Sequence, residues 1–323
     1  MKPKVIAILC ADIHLSHKPP IWRSNEPDWY AAMQRPLNEI EDLSAEHNCP
    51  VLCAGDIFDK WNSPAELINW AMLHLPPRMY VIPGQHDLPE HNIDNIYRSA
   101  YETLVRANKI KNIEYEQGEF ECGFGMFEQV VDPDMFLWGF PFGTLFFANE
   151  YKSKNLKIAI VHDYVWIGKH KYPNAPEEKE IPKVIKKNNK HIINGKYYGY
   201  DVIVYGDNHD GFLTYIGDTT IFNCGTLMRR KSDEVDYEPM VGLLYSDGTV
   251  EPHYLDISKD IHLTADEVKE AEALEEIDME VFADELRKLG SSALDFVDTM
   301  KRFWGENKTR QKVQDITLKA MEK

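Results

Sequence analysis

The first third of the chain alternates short apolar runs with longer amphipathic stretches. Three runs rich in Val and Ile predict buried strands, and they cover residues 3–10, 50–54 and 79–83. Apolar positions at helical spacing predict helices over residues 29–46, 64–75 and 93–107. Pro36 lies inside the first of these helices, where it should kink or interrupt it. This alternation predicts an α/β layout.

From Phe120 onward the pattern changes to short strands. They are predicted over residues 135–138, 156–161, 202–205, 212–216, 220–223 and 241–245. We expect these strands to form a second sheet, so the predicted fold class is α/β with two sheets.

The character of the chain changes again near Ser258. Thr264 and Glu267 have the spacing of a capping box, and acidic helical sequence follows as far as Leu289. Two further helical patterns continue to the C-terminus. We therefore predict a domain over residues 1–257 and a small helical module over residues 258–323. The module is too small to bury its apolar stripes in a hydrophobic core of its own. They either pack against the first domain or bind a partner.

Composition and charge narrow the function classes. The 323 residues carry a net charge of −17, which is unusual for a protein that binds nucleic acid through a broad basic face. A nucleic-acid substrate then requires metals, local basic patches such as the lysines of residues 170–195, or a partner to offset repulsion. No stretch reaches transmembrane length. Five cysteines without paired CxxC spacing indicate a reducing compartment, hence the cytoplasm, and no structural zinc.

Metal-ligating side chains follow the predicted strands, at the point where each strand ends. They are Asp12, His14, Asp56, Gln85, His86, His162, Asp207 and His209. The carboxyl ends of buried parallel strands converge on one crevice, so we expect these side chains to meet. Two divalent ions need a shared anionic ligand, and together they can lower the pKa of a bound water. The pattern therefore predicts a metal site.

The five blocks DIH, GDIFD, GQHD, VHD and GDNH resemble the motifs of the calcineurin-like metallophosphoesterases. The resemblance implies an αββα two-sheet sandwich that binds two divalent ions. Carried over by motif, one ion would be held by Asp12, His14, Asp56 and His209. The other would be held by Asp56, Gln85, His162 and Asp207. Asp56 would bridge the ions, and His86 would act as the proton donor or orient the phosphate.

Two residues depart from the family pattern. Gln85 stands where Asn is usual, and Asp207 stands where His is usual. Together with Asp12 and Asp56, Asp207 brings a third negative charge to the site. We therefore predict a harder-metal preference, with Mn²⁺ favoured over Zn²⁺ and with Mg²⁺ and Fe²⁺ also possible.

Three elements resemble the SbcD-type nuclease subunits of DNA double-strand-break repair and recombination complexes. They are GDIFD, PGQHDLP and the segment WGFPF that begins at Trp138. The resemblance implies a DNA exonuclease, frequently dimeric, whose C-terminal helices dock onto an SMC-like coiled-coil ATPase.

Several alternatives stay open. Lipid-linked UDP-sugar pyrophosphatases share the GD-x-FD element followed by Trp, as at Trp61, but they typically carry Arg at the position of His86. A general phosphatase or a cyclic-nucleotide phosphodiesterase is a further alternative. A scaffold that keeps a vestigial metal site and acts through its helical tail belongs to a different class.

Overall fold

The structure is a computed structural model, and it describes residues 3–113, 135–181, 191–264 and 266–269. The chain divides into two compact units, Met1–Ile261 and His262–Lys323. Within the described residues the strands are, in chain order, β1 (Val5–Cys10), β2 (Val51–Cys53), β3 (Met79–Val81), β4 (Ile110–Asn112), β5 (Met135–Phe140), β6 (Leu156–His162), β7 (Ile192–Ile193), β8 (Lys196–Tyr197), β9 (Val202–Gly206), β10 (Phe212–Ile216), β11 (Thr219–Asn223), β12 (Met240–Tyr245) and β13 (Val250–Tyr254).

Two main sheets form the body of the first unit. The first sheet has the order β13–β12–β1–β2–β3–β4, in which β1 to β4 are parallel and β12 runs antiparallel to β1. The second has the order β10–β11–β9–β6–β5, in which only β10 is antiparallel to its neighbour. A separate hairpin pairs β7 with β8. The predicted α/β class with two sheets is confirmed.

The main core lies between the two sheets. Ile6 and Leu9 of β1 and Leu52 of β2 pack with Ile158 of β6 and Phe222 of β11, and all five are at most 1% exposed. Side chains alternate between the two faces of the sheet along β1, since Ile8 and Cys10 point to the face opposite that of Ile6 and Leu9. Both faces of this sheet are therefore buried, which explains the continuous apolar runs in the sequence.

Helices cover the outer face of the first sheet. They are α1 (Trp29–His47), α2 (Ala65–His74) and α3 (Ala100–Arg106). The Asp28 side chain accepts a hydrogen bond from the Ala31 N–H and caps the start of α1. Asn48 ends the helix in the left-handed region. Pro36 does not interrupt α1, which continues to His47, so the expected interruption is wrong.

Residues 93–107 do not form one helix. Ile93–Arg98 is a 3-10 turn, and α3 begins after it, with Ser99 as the capping residue that accepts from the Glu102 N–H. In the described residues, loops and the β7–β8 hairpin cover the outer face of the second sheet. Their aromatic side chains, such as Tyr197 and Tyr200, pack against it. The four described cysteines are buried and free, as expected for core residues.

The start of the second unit carries the predicted capping box. Thr264 and Glu267 exchange hydrogen bonds, with the Thr264 N–H donating to Glu267 Oε2 at 2.7 Å and the Glu267 N–H donating to Thr264 Oγ1 at 3.3 Å. The predicted helices beyond residue 269 and four lysines of the 170–195 stretch (183, 186, 187 and 190) lie outside the described residues. Among the described helices, none is long and apolar enough to cross a membrane.

Candidate metal centre

The predicted site residues lie at the carboxyl ends of five strands. Asp12 and His14 follow β1, and Asp56 follows β2. His162 is the last residue of β6. The remaining four are Gln85 and His86 after β3, and Asp207 and His209 after β9. All eight side chains face one edge of the sandwich. The backbone is left-handed at Asp12 (φ 50°), His14 (φ 50°), Asp56 (φ 55°) and Asp207 (φ 82°).

One group of candidate ligands consists of Asp12, His14 and His209. One ligand atom from each lies within 4.8 Å of the others. His14 Nε2 is 3.1 Å from His209 Nε2 and 3.7 Å from Asp12 Oδ1. Two imidazoles that face each other with nitrogen atoms at this distance are suited to share a cation.

A second group consists of Asp12, Asp56 and His162, all of them buried. Asp56 Oδ2 is 3.5 Å from His162 Nε2 and 3.7 Å from His14 Nε2, so this oxygen lies between the two groups. That is the position which a bridging carboxylate requires. Asp12 also belongs to both groups, which the sequence did not indicate.

Gln85 and Asp207 lie beside these groups. Gln85 Nε2 donates to Asp207 Oδ1 at 2.7 Å, and the Asp207 N–H donates to Asp12 Oδ2 at 3.1 Å. The two residues that depart from the family pattern are therefore in contact with each other. With its nitrogen turned to Asp207, the Gln85 amide keeps its oxygen available as a ligand.

The chemistry of the pocket fits divalent cations. Three buried atoms, His14 Nδ1, Asp56 Oδ2 and His162 Nε2, have no hydrogen-bond partner. Burial raises the pKa of Asp12 to about 7, because no nearby cation fully offsets the cost of a buried anion. Burial also raises the pKa of Asp207. A set of imidazole nitrogens and carboxylate oxygens without sulfur suits Mn²⁺, Fe²⁺ or Zn²⁺.

The orientation of His162 supports this interpretation. Its Nδ1 lies 2.5 Å from the Ala54 carbonyl oxygen and donates to it, so Nε2 faces Asp56. Burial acts to lower the pKa of His162, but the Asp56 carboxylate outweighs it and raises that pKa well above its usual value. A bound cation would take the place of the proton on Nε2.

Glycines make room for the ligands at two points. Gly55 has φ 99°, and a β-carbon there would overlap the His162 ring. A β-carbon at Gly84 would overlap the Asp56 carboxylate. The glycines of the GDIFD and GQHD blocks are therefore needed by the geometry of the site.

His86 lies at the mouth of the centre with one ring nitrogen fixed. Its Nδ1 donates to the Asp59 carbonyl oxygen at 2.9 Å, and its backbone N–H donates to Asp56 Oδ1 at 2.9 Å. Nε2 is then the ring atom available to a substrate. The neighbouring Asp87 is buried and accepts from the backbone N–H groups of Phe58 at 3.0 Å and Gly84 at 3.1 Å, which holds the two loops together.

Asp59 and Arg230 form a contact that the sequence did not predict. Arg230 Nη2 donates to Asp59 Oδ1 at 2.7 Å, and the same oxygen is 3.9 Å from His14 Nδ1. Asp59 thus contributes its carbonyl to His86 and its carboxylate to the surroundings of His14. These two histidines and Asp59 form a third group of potential ligands.

Glu234 supports His209 from the side opposite His14. Its Oε1 is 3.6 Å from His209 Nδ1, and its Oε2 accepts from the backbone N–H groups of Arg230 at 2.6 Å and Lys231 at 3.0 Å. Burial acts to lower the pKa of His209, and Glu234 outweighs it and raises that pKa. The sequence around Glu234 gives no indication of this contact, because His209 lies far from it along the chain.

An open cleft of about 960 Å³ adjoins the centre. Gln85, His86, Asp207 and His209 line it on the side of the centre. Residues 164–173 form one of its other walls and residues 231–240 form another, with Tyr254 beside them. A phosphoester placed at the centre can therefore extend into a space much larger than a phosphate group.

The sequence of residues 7–211 matches the model of the calcineurin-like phosphoesterase family. The chain belongs to this family. No curated protein matches this phosphoesterase in sequence. The match ends just after His209, so it includes every block from which the site was predicted and excludes the segment that carries Arg230 and Glu234.

The chain is similar to several solved structures at low sequence identity. Thermus thermophilus sulfate thiohydrolase SoxB in complex with glycerol is 13% identical over 84% of this chain and 60% of its own, with a TM-score of 0.45. An archaeal phosphodiesterase is 13% identical over 77% of this chain and 99% of its own, with a TM-score of 0.37. A metallophosphoesterase from Sphaerobacter thermophilus is 13% identical over 78% and 89%, with a TM-score of 0.36. This phosphoesterase thus spans less than two thirds of the length of SoxB.

The family and the three residue groups together indicate a metal-dependent phosphoester hydrolase. The structure brings the eight predicted residues to one edge, and the ligand roles of seven of them and the catalytic role of His86 stay predictions.

Proposed function

We propose that the chain hydrolyses phosphodiester bonds in DNA with two divalent ions. The observation that carries the proposal is the position of Asp56 Oδ2 between two ligand groups, with His86 Nε2 at the entrance to an open cleft. An open cleft can admit a diester whose ends continue as a chain. The resemblance of GDIFD, PGQHDLP and WGFPF to SbcD-type nucleases favours DNA as that chain.

The predicted ligands divide between two ions that share Asp56. One ion would be held by Asp12, His14, Asp56 and His209. The other would be held by Asp56, Gln85, His162 and Asp207. When bound, two such ions neutralise the phosphate and lower the pKa of the attacking water. Mn²⁺ is the proposed native metal, because Asp207 replaces a nitrogen ligand by a harder oxygen ligand.

His86 is the proposed proton donor to the leaving oxygen. Its Nδ1–H is held by the Asp59 carbonyl, so protonated Nε2 is the ring atom that can donate to a substrate in the cleft. An imidazole can transfer a proton near neutral pH, and general acid catalysis contributes about 10² to 10⁴ in rate.

The WGFPF segment lies against the third block. The Phe142 N–H donates to the Pro83 carbonyl at 3.3 Å, and the Phe142 ring centroid is 6.4 Å from that of His162. An aromatic side chain is thus placed beside the metal centre, where a nucleobase or sugar could contact it.

The decisive assay compares substrates under Mn²⁺. Linear DNA, a phosphomonoester, a cyclic nucleotide and a UDP-sugar lipid would each be offered to the wild-type chain, H86A and D56A. We expect DNA degradation that falls by about 10² or more in H86A. In D56A we expect it to be lost. Undiminished cleavage in both variants would refute the site assignment. Preferential hydrolysis of the UDP-sugar lipid would support the pyrophosphatase instead, and inactivity on all four substrates would support the scaffold.

We also propose that the second unit binds an SMC-like ATPase. The predicted stripes in residues 264–323 and the capping box at Thr264 support a helical module, and such a partner would supply positive surface to a chain of net charge −17. Co-expression followed by pull-down should recover the ATPase with the full chain and lose it after truncation at Ile261. Retention by the truncated chain would contradict this proposal. A homodimer in the cytoplasm is the proposed setting, which light scattering would test for the assembly.

A further inference from the structure

The cleft beside the metal centre has two walls of opposite character. We call residues 164–172 the basic-aromatic wall and residues 233–238 the acidic wall. Both walls line the cleft together with His86 and His209. A substrate chain that leaves the metal centre through this cleft therefore passes between them.

The basic-aromatic wall presents two rings and two ammonium groups. Tyr164 and Tyr172 pack with ring centroids 4.6 Å apart, and Tyr172 is 49% exposed. Lys169 and Lys171 are exposed, and Lys171 Nζ lies 4.3 Å from the ring centroid of buried Trp166. The Trp166 ring holds that ammonium group at the wall without neutralising its charge.

The same wall is fixed to the metal-bearing loop. Buried Asn208, which lies between Asp207 and His209 in sequence, donates from Nδ2 to the carbonyls of Val165 at 2.8 Å and His170 at 2.9 Å. His170 Nδ1 is also 3.0 Å from Asp210 Oδ1. The lysines and tyrosines are therefore positioned by the loop that carries two predicted ligands.

The acidic wall has surplus negative charge facing the cleft. Asp233, Asp236 and Glu238 are exposed, and the charge of Glu234 is directed to His209. Lys231 adds one positive charge beside them. A second phosphate backbone against this wall would be repelled.

We propose that the basic-aromatic wall is a binding subsite for a single nucleic-acid strand, with its phosphates on Lys169 and Lys171 and a base on Tyr172. The inference deepens the proposed function and rests on it. Stacking on an exposed ring beside cationic groups is how proteins hold single strands without reading their sequence. The acidic wall restricts the cleft to one strand, so a duplex end must separate before it is cut.

Binding and cleavage are tested separately. A fluorescein-labelled phosphorothioate oligonucleotide resists hydrolysis, so its anisotropy with the Mn²⁺-loaded full chain reports binding alone. The comparison uses K169A/K171A against K152A/K154A, which removes two exposed lysines that do not line the cleft. We expect the first pair to lower the slope of log K against log salt by about 1.4, since each contact to a single strand contributes about 0.7. The second pair should leave that slope unchanged.

The ring is tested with a conservative pair. Y172A should weaken single-strand binding about tenfold, because the stacking surface is lost, whereas Y172F should bind like the wild type. Equal effects of Y172A and Y172F, or equal salt slopes for the two lysine pairs, would overturn the subsite.

Duplex exclusion is tested by cleavage of one labelled strand, offered alone and in a blunt duplex. Wild type should prefer the single strand, and D236N/E238Q should raise duplex cleavage relative to it. Equal cleavage of both forms by wild type would overturn the single-strand inference. Cleavage of a chromogenic diester without any DNA cleavage, but with normal binding of the oligonucleotide, would overturn the proposed function and keep the subsite.

Discussion

At the scale of single residues, the centre depends on side chains that touch the predicted ligands from outside. Glu234 contacts His209, and Asp59 contacts both His14 and His86. Carboxylates and carbonyls on the second nitrogen of a metal-bound histidine fix the ring and increase its basicity.

Replacing Glu234 by Gln should weaken Mn²⁺ binding about 10- to 100-fold, because His209 loses a charged partner. Isothermal titration of the metal-free protein measures this directly. Glu46, exposed on α1, provides the matched control as Glu46→Gln and should bind Mn²⁺ like wild type. An E234Q affinity equal to that of the control would show that Glu234 does not orient His209.

Replacing Asp207 by His should shift metal preference from Mn²⁺ towards Zn²⁺. The change removes one negative charge and adds a softer nitrogen ligand, while Gln85 loses the carboxylate to which it donates. The measurement is the ratio of the Zn²⁺ and Mn²⁺ dissociation constants for each protein. Strict zinc dependence of the wild type would contradict the charge argument.

Sequence reasoning found the eight residues at strand ends because they occur in compact blocks directly after apolar runs. Asp59 was visible within GDIFD, but its role depends on Arg230, which is 171 positions away. Such a pair has no sequence spacing that could predict it. The supporting contacts of the site could therefore be found only from the fold, whereas the candidate ligands could be predicted from the sequence.

At the scale of elements, a charge network that is largely buried ties four segments together. Arg23, before α1, is 1% exposed and donates to Asp260 Oδ1 at 2.9 Å, to Glu26 and to the Arg229 carbonyl at 2.9 Å. Arg35 of α1 donates to Glu26 at 2.9 Å and to Asp260 at 3.1 Å. The network joins the loop after β1, helix α1, the segment leading to Arg230 and the segment after β13 that carries Asp260.

Replacing Glu26 by Gln should reduce the free energy of unfolding by about 2 kcal/mol at pH 7, because Arg23 and Arg35 each lose one of their two carboxylate partners. Burial acts to raise the pKa of Glu26, but the Ile261 N–H, Arg23 and Arg35 outweigh it and keep that pKa below its usual value. A depressed pKa stabilises the fold above the ordinary glutamate pKa, and that contribution is lost as the pH falls through the folded-state value.

The difference in the free energy of unfolding between wild type and E26Q should therefore be largest near neutral pH and should decrease below about pH 4. Urea unfolding at pH 7 and at about pH 3 measures this difference, with Glu46→Gln as the exposed control. A difference in unfolding free energy that increased on acidification would contradict a stabilising role of the ionised Glu26 carboxylate.

The elements also show where periodicity predicts well. Long amphipathic or apolar segments such as α1 and β6 were predicted to within a residue or two, because one buried face fixes their period. Ile93–Arg98 was expected to be helical, but Ser99 offers its side chain as a new cap and starts α3 there. Strand β4 was not predicted, because Ile110 is its only apolar residue, whereas the equally short β2 and β3 lie within apolar runs. Pro36 is tolerated because tertiary packing of α1 outweighs one lost hydrogen bond.

At the scale of the whole molecule, metal binding should be coupled to folding. Asp12, Asp56 and Asp207 meet at one edge of the sandwich, and burial raises the pKa of two of them. Mn²⁺ at about 100 times its dissociation constant should stabilise the protein by about 2.7 kcal/mol. For a domain of this size that corresponds to a rise in Tm of about 5 °C or more.

Differential scanning calorimetry of the chelator-treated protein, with and without added Mn²⁺, measures this rise without any assay of activity. D56A is the comparison variant, and its Tm should change little on adding the metal because the oxygen between the two ligand groups is gone. A wild-type Tm independent of Mn²⁺ would contradict a folded-state metal centre.

The left-handed backbones of Asp12, His14, Asp56 and Asp207 have a consequence for how the sequence can change. Non-glycine residues in that region cost of order 1 kcal/mol each, and glycine or asparagine bears the conformation more easily. A library selected only for heat resistance should therefore accumulate replacements at these four positions early. The selected variants would have higher thermal stability but would no longer turn over substrate. The catalytic edge persists only where selection acts on the reaction itself.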